Sequence, residues 1–279
     1  MVSTYTSKSR IPIWFVCLAV TVVILGCNAG KRYHKAEEKM TAPAPTRWVL
    51  ILDATSSMRL GLSDTEASNT VECVKATAKE IVNGFAAGDS VQCYQVNANF
   101  VSSNDNVFSG QVDEDSRAWK KKREEWHQAI SRIPKGWATQ PGGEPCSDQG
   151  SDYLSPLAAA ASDFAKCNED KVLVIVGDLI HQKELDLFPL LVGEGLPSEG
   201  TITDPQSNDK VFEKVKVYLV RPAGGQLSSG KSIGTEEWDA LESYWKAYLE
   251  ARGAKNVQCK VLRQGVGKDI LRDLSRLDE

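Results

Sequence analysis

The feature that most constrains this chain is an apolar run that stops on a carboxylate, and it occurs twice. Trp48-Val49-Leu50-Ile51-Leu52 leads into Asp53, and Val172-Leu173-Val174-Ile175-Val176-Gly177 leads into Asp178. Runs of this kind, continuous rather than alternating and rich in β-branched residues, suit strands covered on both faces by helices. Two of them separated by helical periodicity imply a doubly wound, mostly parallel α/β sheet flanked by helices. In such sheets ligands gather at the carboxyl ends of the strands, where Asp53 and Asp178 both fall.

The remaining pattern fills in that frame. Val71, Val74, Ala78, Ile81 and Phe85 recur at three- and four-residue spacing, one face of a helix closed by Gly84 and Gly88. The alternation of Val91 to Val96 predicts the next strand, with Asn106-Val107-Phe108 pairing beside it, and a right-handed crossover joins strand to strand. Trp119, Trp126, Ile130 and Ile133 share a face of the helix that follows. On that helix Lys120-Lys121-Lys122-Arg123 runs straight into Glu124-Glu125, a solvated outer face rather than a nucleic-acid patch. A net charge of −4 likewise gives no general affinity for nucleic acid. Residues 134–150, rich in Pro and Gly, read as a long loop before an alanine-rich helix. Lys216 to Val220 and Asn256 to Leu262 read as further strands, and Ile270, Leu271, Leu274 and Leu277 as a last short helix. Between those strands lies a helix with Trp238, Leu241, Trp245 and Leu249 inward, Thr235 as its cap and Gly253 as its stop.

After the first strand, Asp53, Thr55 and Ser57 follow at a spacing of two, so one loop can turn three oxygens to a single point. That suits a hard cation, which takes oxygen ligands. Asp53-x-Thr55-x-Ser57 resembles the Asp-x-Ser-x-Ser signature of von Willebrand factor A-type (vWA) domains, where it forms a metal-ion-dependent adhesion site. Gly150-Ser151-Asp152 is similar to the family's turn that supplies a further hydroxyl, and Asp178 matches the family's later aspartate. The family's strand normally ends Thr-Asp-Gly or Ser-Asp-Gly, whereas Gly177 and Leu179 flank the aspartate here. The resemblance implies that Thr55, Ser57 and Ser151 offer hydroxyls directly to Mg²⁺, Mn²⁺ or Ca²⁺, and that Asp53 and Asp178 act mostly through water. An acidic side chain of a partner protein would complete the octahedron. A fold that keeps its shape with a vestigial metal site is the alternative.

Residues 1–26 differ from the rest. Lys8 and Arg10 precede a charge-free apolar segment from Ile11 to Gly26, of signal-peptide length. Its end, Ile24-Leu25-Gly26-Cys27, resembles a bacterial lipobox, which implies cleavage before Cys27 and lipidation of its thiol. Residues 27–45 are then a small, polar tether, and 46–279 the vWA-like domain, held on the cell membrane and facing the periplasm or exterior. Lys31, Arg32 and Lys35 after the apolar run keep an uncleaved, reversed anchor as the competing reading. Beyond Cys17 and Cys27, five cysteines remain, Cys73, Cys93, Cys146, Cys167 and Cys259, with no C-x-x-C spacing for zinc or redox chemistry.

Enzymatic readings fare worse. Gly225-Gln226-Leu227-Ser228-Ser229-Gly230-Lys231-Ser232 matches the nucleotide-binding P-loop, yet the following helix starts near Thr235 rather than at the lysine, so its amino terminus would not face a phosphate. A haloacid dehalogenase-type phosphotransferase needs a carboxylate two residues after Asp53, where Thr55 stands. His34, His127 and His181 are tied to no nucleophile motif, and His181 is expected at the surface of a loop, an approach to the metal edge being the alternative. The sequence therefore predicts a lipid-anchored, metal-dependent protein-binding module rather than an enzyme.

Overall fold

The computed structural model describes residues 44–55, 58, 62–97, 102, 104–133, 151–181, 187, 190, 210–226 and 232–277. In chain order the elements are β1 (Thr46–Leu52), α1 (Asp64–Asn83), β2 (Ser90–Gln95), β3 (Asn106–Gln111), α2 (Ser116–Ser131), α3 (Leu154–Phe164), β4 (Asp170–Val176), β5 (Val215–Arg221), β6 (Gly225–Gln226), β7 (Ser232–Ile233), α4 (Thr235–Ala251), β8 (Asn256–Val261) and α5 (Val266–Leu277). The central sheet has the order β3-β2-β1-β4-β5-β8, parallel throughout except for β3 at one edge. This is the doubly wound, mostly parallel α/β sheet that the apolar runs predict.

Alternation along the strands sorts the core into two layers. Leu50, Leu52, Val174 and Val176 pack with Val71, Ile81, Trp126 and Ile270, the inner faces of α1, α2 and α5. Val49, Ile51, Leu173 and Ile175 pack on the opposite side with Leu157, Phe164, Trp238 and Trp245 of α3 and α4. Because both faces of β1 and β4 are covered, every position must be apolar, which is why the runs do not alternate. Each large side chain so buried stabilises the fold by roughly 1.5–3 kcal/mol.

Local signals set where the helices start. Ser63 caps α1: its Oγ accepts the Glu66 amide at 3.3 Å while Glu66 Oε2 accepts the Ser63 amide at 2.9 Å, a reciprocal pair that starts the helix ahead of its first buried residues. The residue that caps α4 is Gly234, extended at φ −89° and ψ −175°, and not Thr235, which already lies in the first turn. The Gly234 amide donates to Glu237 Oε2 at 2.9 Å, so the first turn itself supplies the acceptor. The ends of the P-loop-like stretch pair as an antiparallel ribbon, Gly225 with Ile233 and Gln226 with Ser232, so Ser232 lies in a strand and the next described helix begins at Thr235; residues 227–231 lie outside the described residues.

At the amino end of β1 stands a buried carboxylate. Asp89 Oδ1 accepts the Thr46 amide at 2.9 Å, and Oδ2 accepts the Ala86 amide at 2.9 Å and the Trp48 indole N–H at 3.3 Å. It ties the start of β1 to the turn that feeds β2. Cys73, Cys93, Cys167 and Cys259 are all free thiols, Cys93 buried in the core and the others half-buried; Cys146 lies outside the described residues.

Candidate metal centre

From β1 the chain passes to β2 on one side, and from β4 to β5 and β8 on the other, so the carboxyl ends of β1 and β4 form the topological switch point of the sheet. Leu52 pairs with Val176 in register, and the Asp53 amide continues the ladder by donating to the Val176 carbonyl at 2.8 Å. Asp53 and Gly177 therefore stand side by side, one residue beyond the two strands. Asp178 follows at once.

Four of the five residues singled out in the sequence can be placed. Asp53, Ser151 and Asp178 are buried and Thr55 is half-buried, whereas Ser57 and the expected lipidation site Cys27 lie outside the described residues. Asp53 Oδ1 accepts the Thr55 amide at 2.7 Å, an Asx-type turn that bends the loop back on its own strand. Thr55 Oγ1 and Ser151 Oγ share a hydrogen bond at 2.7 Å, so the loop after β1 meets the start of α3 at two hydroxyls. Asp152 fixes that start: Oδ1 accepts the Ser155 amide at 3.0 Å and Oδ2 accepts its hydroxyl at 2.5 Å. Asp178 Oδ1 accepts the Ile180 amide at 2.9 Å, bending the loop after β4 in the same manner as Asp53 bends the first.

Two residues that the sequence did not single out complete the arrangement. Tyr153, fully buried, donates its hydroxyl to Asp53 Oδ2 at 2.5 Å, lies 3.4 Å from Asp178 Oδ1, and accepts the Leu179 amide at 3.0 Å. Trp245 of α4 donates its indole N–H to the Leu179 carbonyl at 2.7 Å. His181 is buried, not at the surface: its Nδ1 accepts the Tyr153 amide at 3.1 Å, because the loop after β4 turns back beneath the first turn of α3.

Of the two departures from the vWA strand ending, that at Gly177 has a physical cause, and that at Leu179 has none. A Cβ on Gly177 would sit 2.3 Å from Asp53 Cβ and 2.4 Å from the Tyr153 hydroxyl, so the family's Thr or Ser has no room. Leu179 takes φ +62°, the left-handed conformation for which the family's Gly is suited.

Electrostatics makes the pair of carboxylates costly without a cation. Burial pushes the Asp53 carboxyl above its ordinary value, with hydrogen bonds from Tyr153 and Thr55 and the contact with Asp178 working in the opposite direction. Burial, and then the charges of Asp53 and Asp178, push the Tyr153 phenol well above its usual value, which keeps it a donor. Among the described residues no group of three or more His, Cys, Asp or Glu side chains is placed to hold a metal ion; the donors that meet here are two carboxylates and a pair of hydroxyls. That is hard-oxygen chemistry. Neighbouring ligands of an octahedral Mg²⁺, each about 2.1 Å from the ion, stand about 3.0 Å apart, and the Thr55 and Ser151 hydroxyls, hydrogen-bonded at 2.7 Å, need to part only slightly to reach that spacing. The residues present fit a small divalent cation.

No protein-family model matches the chain, and no curated protein does. Among solved structures it is similar to a von Willebrand factor type A protein from Catenulispora acidiphila, at 12% identity and TM-score 0.44, over 83% of this chain and 42% of that one. Another is the PilB minor pilin from Streptococcus sanguinis, at 10% identity and TM-score 0.48, over 86% of this chain and 62% of that one. A third is proximal thread matrix protein 1 from the mussel byssus with a zinc-occupied MIDAS motif, at 14% identity and TM-score 0.40, over 84% and 46%. The chain spans less than two thirds of the length of each of these three. The strand order and the helices on both faces of the sheet make its fold α/β of the vWA/Rossmann-like kind.

Proposed function

We propose that this chain is a divalent-metal-dependent protein-binding module of the adhesion type, anchored to a bacterial membrane through lipid on Cys27. The observation that carries the reading is the convergence, at the switch point of the sheet, of Asp53, Thr55, Ser151 and Asp178 from three separate stretches of chain. Asp53, Thr55, Ser151 and Asp178, with Ser57 of the same loop, would hold Mg²⁺, Mn²⁺ being an equivalent occupant. Bound there, the cation supplies an electrophilic position that an acidic side chain of the partner can fill. The chain's own residues provide the rest: Asp53 and Asp178 set the charge, Thr55 and Ser151 offer neutral oxygens, and the apolar core holds their loops in register.

The Tyr153 hydroxyl between the two carboxylates favours a second reading, in which the fold is kept and the phenol closes a site that no longer takes metal. Thermal unfolding separates the two. A cation that binds only the folded chain raises the unfolding midpoint, by about 2.7 kcal/mol of stability at 100 times its dissociation constant. The full-length chain is expected to gain stability with Mg²⁺ or Mn²⁺, and Asp53→Ala to lose the gain; no gain in the wild type would leave the scaffold reading. A gain only with Mg²⁺ and ATP together would instead revive nucleotide binding. Among the described residues no helix is long and apolar enough to cross a membrane. Anchoring is tested separately, by labelling with fatty acid, which Cys27→Ser is expected to abolish.

A further inference from the structure

We propose that Tyr153 is the positioning residue of this metal centre: its phenolic oxygen, lodged in the space that Gly177 leaves, ties the Asp53 carboxylate to the loop after β4 before any cation arrives. The inference rests on the metal-dependent reading above and names the part of the site that makes it specific to this chain. Three contacts meet at one oxygen. The hydroxyl donates to Asp53 Oδ2 at 2.5 Å, accepts the Leu179 amide at 3.0 Å, and has Asp178 Oδ1 at 3.4 Å.

The phenol is itself held on all sides. Its backbone amide donates to His181 Nδ1, and its ring packs on Trp245 with centroids 5.9 Å apart. Trp245 in turn donates to the Leu179 carbonyl, so two aromatic side chains, one at the start of α3 and one from α4, grip the amide and the carbonyl of a single residue. Leu179 needs that grip, because its φ of +62° is a conformation that a leucine does not keep unaided. Room for the phenol exists only because residue 177 has no side chain; a Cβ there would lie 2.4 Å from the hydroxyl. One oxygen thus couples the two aspartate-bearing loops. Tyr153 acts through Asp53 rather than on the cation. Partners that orient a ligand in this way are commonly worth about 10- to 100-fold in metal affinity.

The test is calorimetric titration of Mn²⁺ into the full-length chain, wild type and Tyr153→Phe, well below the unfolding midpoint of either. The phenylalanine variant is expected to bind about 10- to 100-fold more weakly. A residue that only filled the core would lower the metal-free unfolding midpoint and leave the affinity of the folded protein unchanged. Equal or tighter Mn²⁺ binding by Tyr153→Phe therefore overturns the proposal while leaving metal binding intact. A wild type that takes up no Mn²⁺ overturns the metal reading and this inference with it. If Tyr153→Phe does not fold, amide exchange in the wild type decides. Protection of the Leu179 amide that is already present before Mg²⁺ is added supports the lock, and protection that appears only with Mg²⁺ overturns it.

Discussion

Two buried aspartates stand at opposite ends of β1, and they are built by different rules. Asp89, at the amino end, receives two backbone amides and an indole N–H, donors whose positions are fixed by strand and turn geometry. Asp53, at the carboxyl end, receives the Thr55 amide, the Thr55 hydroxyl and the Tyr153 phenol, with a second carboxylate, Asp178, beside that phenol. Burial pushes the carboxyl group of each upward. Burial and a raised carboxyl are thus common to both and mark neither as a binding site. What separates them is the company: fixed donors that saturate a structural carboxylate, against hydroxyls and a like charge that a cation would reconcile.

The largest expected effect breaks the structural end. Asp89→Ala leaves two amides and an indole N–H without their acceptor at a site that is 5% exposed. At about 1–3 kcal/mol for each orphaned donor, partly offset by water, the loss is expected to be about 3 kcal/mol or more. Denaturant unfolding checks it, and Mg²⁺ should leave the difference from wild type unchanged. Next in size is Gly177→Ala at the other end. A methyl group cannot share space with Asp53 Cβ and the Tyr153 hydroxyl, so β1 and β4 must shift, at about 1–3 kcal/mol for an overpacked core. Here the metal-induced gain in midpoint should fall as well, since the displaced groups belong to the site. A Gly177→Ala variant with full stability and full metal response would show that the two strand ends are not coupled as described.

How much of this contrast can be read from sequence depends on whether the signal is local. The strands β1 and β4 are legible because a doubly covered strand must be apolar at every position, and Asp53 and Asp178 are legible because they interrupt those runs. The pairing of Thr55 with Ser151 follows from a spacing and a resemblance, and the structure brings those hydroxyls together. Ser63-x-x-Glu66 is a capping pair that sequence reasoning could have found and did not. Tyr153 is different. An aromatic residue ahead of an alanine-rich helix reads as core, and its polar role depends on which strand ends it lies between. The one local sign of it is Gly177, a glycine in a β-branched run, which signals that another group approaches closely. His181 was misplaced for the same reason, since a loop residue is buried or exposed according to where the loop returns, and no spacing encodes that.

The pH dependence sharpens the comparison further. For each aspartate the folded-state value is raised from 3.8, so between 3.8 and the raised value the folded chain holds more protons than the unfolded one. The contribution of each to the stability of the metal-free protein therefore falls as pH rises through that window, by up to about 1.4 kcal/mol per pH unit for one group, and levels off above it. Asp53→Asn removes its share of the slope and, at neutral pH without metal, is expected to be as stable as wild type or more so. Mg²⁺ should remove the same share from the wild type, because a bound cation favours the ionised carboxylate, and should leave the share of Asp89 in place. Denaturation curves across the acidic range, with and without Mg²⁺, check both. A slope that Mg²⁺ does not touch would put Asp53 in the same class as Asp89.

The smallest effect concerns the backbone at the site. Leu173 and Leu179 are both fully buried on the face covered by α3 and α4, but Leu173 is extended within β4 and Leu179 is left-handed just past it. Truncating either loses the same side chain, so the difference between glycine and alanine isolates the backbone. At 173 the glycine variant should be the less stable of the two by about 0.5–1 kcal/mol, the usual entropic cost. At 179 the order should invert, with Leu179→Gly more stable than Leu179→Ala by about 1 kcal/mol, because only glycine escapes the left-handed strain. The inversion, read from unfolding midpoints of the four variants, would show that the chain just past β4 is held in a left-handed conformation, the strain that Tyr153 and Trp245 are placed to hold. If alanine is better at both positions, the chain after Asp178 carries no such strain, and the grip of the two aromatic residues has nothing to hold.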